Sequence, residues 1–377
     1  MKKIMFSLLG LVLASCVAYA GDLNFVFNEK LFFDDNIYLT KKDKESSLIS
    51  TSRLGLEFKS SIPQTTLDFT AGALVGYNYY FTDPSVNSYF DAIVDLCAKN
   101  ENLSVENTFR YTEDPADSSI MERVARINNF TKIYFQTARY NLLSFGIGLA
   151  NIYDNYMDSI YEALTRNRIN FIADVYYEIF PRTDIYADYT GSYTKYTTNE
   201  ENDSFGNSIG LGVKGELASN ITANVKLCFD NRNYFNDRIV PLMGKSDNDF
   251  GIFGFEASVK WDPLNSTSLI LSGHRRAEET LYYLDRFYIS TLASLYAKQK
   301  FYDMVSGSLL FSYEELGYTQ GEKRTDNIFK IRPAVEIETG SGASVMIWYS
   351  YADKTSDKSE LFEYTDNVIG ADFKIKF

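Results

Sequence analysis

The chain is poor in the residues that build most catalytic and metal centres. Its 377 residues include one histidine, His274, with two tryptophans, seven prolines and three cysteines. One histidine cannot form a histidine-rich metal site. With no Gly-x-Ser-x-Gly elbow in the sequence, a Ser–His hydrolase has no support either. Cys97 and Cys228, the cysteines beyond residue 20, have no metal-type spacing. No enzyme, cofactor or metal is therefore expected. Beyond residue 20 there is no run of eighteen apolar residues, so no helix can span a bilayer. No Pro- or Ser-rich linker and no break in composition divides the chain. Positive charge is also scarce, with a formal balance of −13. Dropping Lys2 and Lys3 from the 37 basic residues leaves 35 against 50 acidic ones, or −15. That charge disfavours nucleic acid as a partner.

What the chain has is aromatic side chains and alternation. It carries 29 tyrosines and 28 phenylalanines, yet its mean hydropathy is only −0.22. Such a composition suits interfacial girdles and polar linings. The first residues read as a secretion leader. Lys2 and Lys3 precede the apolar stretch Ile4 to Leu13, and Ala18-Tyr19-Ala20 fits a small-x-small cleavage site before Gly21. Leu13-Ala14-Ser15-Cys16 also resembles a lipoprotein processing box, and this alternative stays open. The expected organisation is a leader over 1–20 and one domain over 21–377.

Period-2 alternation runs through that domain. In 221–230, Ile221, Ala223, Val225, Leu227 and Phe229 share one face, while Thr222, Asn224, Lys226, Cys228 and Asp230 share the other. Segments 208–217 and 250–261 split the same way. Short connections such as Ser219-Asn220 and Pro181-Arg182-Thr183 alternate with long ones such as 34–47, 113–121 and 232–247. A soluble sandwich would bury Lys214, Glu216, Lys226 and Asp230 at a high desolvation cost, which a water-filled lumen removes. The fold class expected is all-β: a transmembrane antiparallel up-and-down barrel of about 18 strands in the bacterial outer membrane. Sixteen is the alternative if the first hairpin packs elsewhere. An even count puts both termini on the periplasmic side. Pro333, inside a strand, cannot donate to the ladder and predicts a bulge.

The last strand places Ile369, Ala371, Phe373, Ile375 and Phe377 on one face, with Asp372, Lys374 and Lys376 on the other. The terminal aromatic, with Phe373 and Ile375 before it, resembles the signal read by the barrel-assembly machinery. Four further segments carry a family resemblance: Phe33-Asp34-Asp35-Asn36-Ile37-Tyr38, Trp261-Asp262-Pro263-Leu264-Asn265-Ser266-Thr267, Arg324-Thr325-Asp326-Asn327 and Tyr364-Thr365-Asp366-Asn367. On these the chain resembles the β-barrel porins of the second type, over most of the sequence beyond the leader. The resemblance implies an outer-membrane barrel, often linked to exopolysaccharide production, and carries no site residues.

A barrel of this size leaves an aqueous interior. With the apolar face turned to lipid, the residues expected to line the pore include Arg53, Arg110, Arg166, Arg168, Lys226, Lys330, Arg332 and Lys374. Asp174, Glu178, Lys214, Glu216 and Glu256 add the opposite sign and further cations. Arg275 and Arg276 are expected at the outer rim, where bidentate hydrogen bonds could hold a sugar acid or a lipopolysaccharide phosphate. Tyr80, Tyr176, Tyr288 and Tyr296 would offer inward rings to sugars. Asp34-Asp35 and the run Asn199 to Asp203 read as solvated acidic loops. Cys97 and Cys228 fall about seven strands apart, too far for a disulfide. The expected function is a passive channel for small polar solutes, with two rivals. One is a conduit for exopolysaccharide; the other is a plugged barrel acting through its loops. Partners expected are outer-membrane lipid and lipopolysaccharide, the barrel-assembly machinery and a polysaccharide.

Overall fold

Alternating strands need a hydrogen-bonding neighbour on each edge, and in the computed structural model each of the long strands finds two. The structure describes residues 21–62, 66–113, 115–117, 120–236, 239–240, 244–245, 249–280, 286–319, 323–340 and 342–377. The leader, with Cys16, lies outside the described residues.

The wall begins with β1 (Asp22–Asp34), β2 (Ser47–Ile62), β3 (Leu67–Tyr80), β4 (Tyr89–Lys99), β5 (Leu103–Thr112) and β6 (Arg126–Gln136). It continues with β7 (Leu143–Tyr156), β8 (Arg166–Phe180), β9 (Thr183–Tyr196), β10 (Ser204–Ala218), β11 (Ile221–Tyr234) and β12 (Asp249–Leu264). It ends with β13 (Thr267–Glu279), β14 (Phe287–Tyr302), β15 (Val305–Tyr318), β16 (Arg324–Glu338), β17 (Ala343–Ser356) and β18 (Tyr364–Lys376). Each pairs antiparallel with the next, and β1 pairs with β18 from Val26↔Lys376 to Asp34↔Val368. The first hairpin is thus part of the wall, and the count is eighteen rather than sixteen. Closure leaves no free edge, the condition for strands in lipid.

The outer face is apolar because exposed Phe, Leu, Ile and Val occupy every second position of most strands. Ile209, Leu211, Leu227, Phe253 and Leu271, from four successive strands, are all exposed on it. Polar residues interrupt this face and satisfy one another. Asn107 Nδ2 donates to Thr131 Oγ1 at 2.8 Å, Asn151 Nδ2 to Asn167 Oδ1 at 2.6 Å, and Ser50 Oγ to Glu29 Oε1 at 2.6 Å.

The segments that carried the family resemblance hold the seams. Asn367 donates from its backbone and side-chain nitrogens to the Asp35 carboxylate at 2.7 and 2.8 Å, tying β18 to the end of β1. Asn36 Nδ2 reaches Thr40 O at 2.7 Å and Thr365 O at 2.8 Å. Asp34-Asp35 is therefore a seam clasp rather than a solvated loop. Asn327 and Asn367 each accept a tyrosine hydroxyl from the neighbouring strand, Tyr313 at 2.7 Å and Tyr349 at 2.6 Å.

Pro333 makes no bulge. The β15–β16 register runs unbroken through Leu309↔Pro333, and on the other side only the bridges around Arg332 and Pro333 are absent. A lost donor is tolerated where one ladder stays intact. Register shifts fall instead at Glu178/Phe180, Glu216/Ala218, Trp261/Leu264 and Lys300/Tyr302, each beside a two-residue turn.

Long and short connections sort to opposite rims. Two-residue turns at 181–182, 219–220, 265–266 and 303–304 lie on the rim that carries both ends of the described chain. The strand ends that the longer connections join, among them Asp34 and Ser47, Thr112 and Arg126, and Tyr234 and Asp249, lie on the other. Outside the strands on that rim, Lys41 Nζ contacts Glu363 and stands 3.6 Å from Glu360, while Lys42 Nζ is 2.6 Å from Glu360. The hydrogen bond from Lys41 holds the Glu363 carboxyl below the usual carboxylate range, and that from Lys42 does the same for Glu360. The Glu363 bond lifts Lys41 above the ordinary lysine value. A depressed carboxyl adds stability above its unfolded pKa and loses it as pH falls through the folded one. Acidification below about pH 4 should therefore loosen 35–46. Amide exchange there, corrected for its intrinsic pH dependence, should rise. Unchanged protection would mean that the clasp does not hold the loop.

Candidate functional site

Residues directly opposite each other in an antiparallel ladder share a face. The register can therefore be followed around the lumen from one charged residue to the next. Arg53 of β2 lies opposite Gly76 of β3, which lies opposite Asp91 of β4. The Arg53 guanidinium crosses that glycine to pair with Asp91, its Nε 3.0 Å from Oδ2. A Cβ at Gly76 would stand 2.2 Å from Asp91 Oδ1 and 2.6 Å from Arg53 Cγ, so only glycine lets the pair form.

The same reading turns all eight expected lining residues inward. Lys226 lies 3.5 Å from Asp188 and 3.3 Å from Glu256. Lys374 and Lys376 reach Glu57 at 3.9 and 2.8 Å. Arg332 stacks on Trp348, 4.4 Å from the ring centroid. Arg166 pairs with Asp154 at 2.9 Å and, with Arg168, with Glu279. Arg110 and Lys330 are exposed and form no ion pair among the described residues. Tyr80, Tyr176, Tyr288 and Tyr296 also point inward. Tyr176 carries Lys214 over its ring at 3.7 Å, and Tyr134 donates to Asp174 at 2.7 Å. Cys97 and Cys228 are free thiols.

The pair Arg275-Arg276 is not a joint rim site, because consecutive strand residues face opposite ways. Arg276 faces inward beside Glu278, 2.5 Å away. Arg275 faces outward opposite Phe255 and donates to Thr291 Oγ1 at 3.1 Å.

The most crowded cluster was invisible to alternation. β12 pairs with β11 up to Asp249, and β13 pairs with β14 up to Glu279, yet β12 and β13 pair no higher than Phe255↔Arg275. Above that point β13 parts from β12, while β14 stays laddered to β15 up to Tyr288↔Tyr318. Phe287, which opposes Glu279, continues the lipid-facing row of β14, yet it is buried and stacks on Phe250 at 3.9 Å. Phe250 opposes Arg232 on the inward face of β11 and β12. Glu279 and Phe287 are therefore turned in over the inward face of β11 and β12. Glu279, which alternation turns to lipid, sits instead with four donors. Arg168 and Arg232 reach Oε1, the latter at 2.6 Å. Arg166 and Tyr196 reach Oε2, the latter at 2.9 Å. Arg286 is held beside it, stacked on Tyr234 at 4.5 Å and donating to Asn236 O at 2.8 Å.

The partner acids Asp91, Asp154 and Asp188 were missed because sequence parity names the face but not the neighbour. Asp91 and Asp188 could have been found as inward acids near inward bases. Asp34, Asp35 and Asp366 bring carboxylate oxygens within 4.8 Å of one another, but Asp34 and Asp35 already accept backbone donors from Asn36 and Asn367.

Comparison with known proteins gives the same architecture. A family model, Putative beta-barrel porin 2, matches residues 26–377. No curated protein matches. Among solved structures, Pseudomonas aeruginosa OpdK with vanillate aligns over 94% of this chain and 99% of its own at TM-score 0.53 and 8% identity. Acinetobacter baumannii OccAB4 aligns over 94% and 98% at TM-score 0.50 and 11% identity. A BenF-like porin from Pseudomonas fluorescens Pf-5 aligns over 95% and 99% at TM-score 0.52 and 11% identity. At such identities the likeness is one of fold.

Proposed function

Because the chain belongs to this family of β-barrel porins, matched over residues 26–377, we propose that it forms a passive aqueous channel for small polar solutes across the bacterial outer membrane. The observation that supports this most is the inward face of the closed wall. Its charges of both signs are mostly paired, and a barrel of this size is not filled by its own side chains. Mixed paired charge sets a transverse field rather than a strong ion filter.

On this reading the short-turn rim is periplasmic, the leader over 1–20 directs export, and Phe373, Ile375 and Phe377 serve assembly. Phe377 is suited to that role. Its N–H and C=O both bond to Phe25, at 3.0 and 3.1 Å, while its ring stays exposed on the lipid side. The outward apolar belt takes lipid and lipopolysaccharide, and Arg275 is an outward cation available to a phosphate.

Reconstituted in planar bilayers, the purified barrel should give discrete conductance steps with weak ion selectivity. Absence of any open-channel current would sink the channel reading. Loss of surface polysaccharide on deletion, with solute uptake unchanged, would move the assignment to polysaccharide export.

A further inference from the structure

We propose that Arg166, Arg168, Arg232 and Tyr196 form an anion site in the lumen, occupied at rest by the Glu279 carboxylate and taken over by the carboxylate of a passing solute. The inference rests on the channel reading and names the solute class that the lumen recognises.

The site is built by the wall, not by the hairpin that fills it. Arg166, Arg168 and Tyr196 come from β8 and β9, Arg232 from β11, and Glu279 from the end of β13. Asp154 fixes Arg166 from behind at 2.9 Å. Arg168 Nε also donates to Thr194 Oγ1 at 3.3 Å. Asp203 accepts the Tyr196 N–H at 2.7 Å. These contacts hold the Arg166 and Arg168 guanidinium groups at the carboxylate-sized position that Arg232 and the Tyr196 hydroxyl also reach. Both carboxylate oxygens there are fully used, two donors to each, which is the geometry that favours a planar anion over chloride. Among the described residues Asp154, paired with Arg166, is the other acid in ion-pair contact with this cluster, so without Glu279 three guanidinium groups face one carboxylate.

Glu279 reaches the site only because the end of β13 is turned inward. Between β12 and β13 the ladder stops at Phe255↔Arg275. On the β12 side the folded end is therefore held by the Glu279 contacts, by Phe287 on Phe250 and by Arg286 on Tyr234, with no ladder there, while β14 stays paired with β15 up to Tyr288↔Tyr318. A solute carboxylate has the same headgroup as Glu279 and competes for the same donors. When it binds, the end of β13 loses its main polar anchor on the β12 side, and the space between it and β8–β11 widens. Affinity for the solute is set by competition with a tethered carboxylate, which keeps binding weak enough for release.

The test uses the full-length barrel in planar bilayers, with acetate as the probe and chloride as the reference anion. In the wild type, replacing chloride by acetate should raise single-channel conductance. Glu279→Gln should raise conductance in chloride at least twofold, shift the reversal potential in a salt gradient towards anions, and abolish the acetate effect. Adding Arg166→Gln and Arg168→Gln to that variant should remove the anion preference. If Glu279→Gln does not fold, as judged by heat-modifiable gel mobility, Glu279→Asp keeps the charge one methylene short and should give an intermediate conductance. A Glu279 variant that conducts and selects like the wild type overturns the site, as does a wild type indifferent to acetate. No current from any protein, wild type included, overturns the channel reading itself.

Discussion

Asp326→Ala should destabilise the barrel by about 3–5 kcal/mol, the usual cost of removing one partner from a buried ion pair. Asp326 lies on the inward face of β16 with its side chain fully shielded from solvent. Its carboxylate oxygens stand 3.1 Å from Arg324 Nε and 3.2 Å from Lys354 Nζ, and both cations are themselves buried. The Arg324 guanidinium is stacked between Tyr318 at 4.0 Å and Phe362 at 3.6 Å, so it cannot turn to water without breaking both contacts. Alanine would leave two buried cations beside each other without the carboxylate that joins them. Guanidinium unfolding of the detergent-solubilised barrel should show the midpoint falling with an unchanged slope. Replacing Arg324 and Lys354 by methionine in the same variant should recover much of the loss, because an apolar cluster of similar volume carries no unpaired charge. An Asp326→Ala midpoint equal to that of the wild type would show that water, not Asp326, neutralises the two cations.

Much of this molecule was readable before its structure because a barrel wall has only one period. In β11 and β18 alternation alone separates Leu227 and Phe373 from Lys226 and Lys374, and hence lipid from lumen. Turn residues such as Pro181-Arg182 and Ser219-Asn220 mark the short rim, so strand number followed. Register between strands was not readable. Face assignment needs one strand, while pairing needs the offset of two, and a shift of one residue changes every neighbour. That is why Arg53 and Lys226 could be given their inward face while their partners Asp91 and Asp188 could not be named. Glu279 was lost for a different reason. It falls just past the alternating stretch of its strand, and alternation would have turned it outward. Only the parting of β13 from β12 brings that face over the arginines. Arg275 and Arg276 show the converse error, where adjacency in sequence was taken for adjacency in space.

Trp348 is the second place where a large effect is expected. Trp348→Ala should cost about 3–5 kcal/mol, as for other buried aromatic-to-alanine changes. The indole lies on the inward face of β17 and is 5% exposed. It fits there because β18 offers Gly370, where a Cβ would stand 2.7 Å from the ring. Phe32 of β1 packs on its other side, with centroids 6.2 Å apart. Its Nε1 donates to Asp372 at 3.0 Å, and the Lys30 ammonium and Arg332 guanidinium lie 4.8 and 4.4 Å from its centroid. One side chain thus joins β16, β17, β18 and β1 across the closing seam. It also lets two cations share a small volume, since the ring face attracts both. Alanine removes the packing, leaves Asp372 without this donor and places Lys30 and Arg332 together over a cavity. Trp348→Phe keeps most of the ring and loses the N–H, so its cost should be roughly 1.5–3 kcal/mol, that of one hydrogen bond to a charged group. Trp261 remains as the fluorescence reporter in both variants. If alanine and phenylalanine unfold at the same denaturant concentration, the ring is not what carries the seam. If both match the wild type, the ladder from Val26↔Lys376 to Asp34↔Val368 closes the barrel by itself.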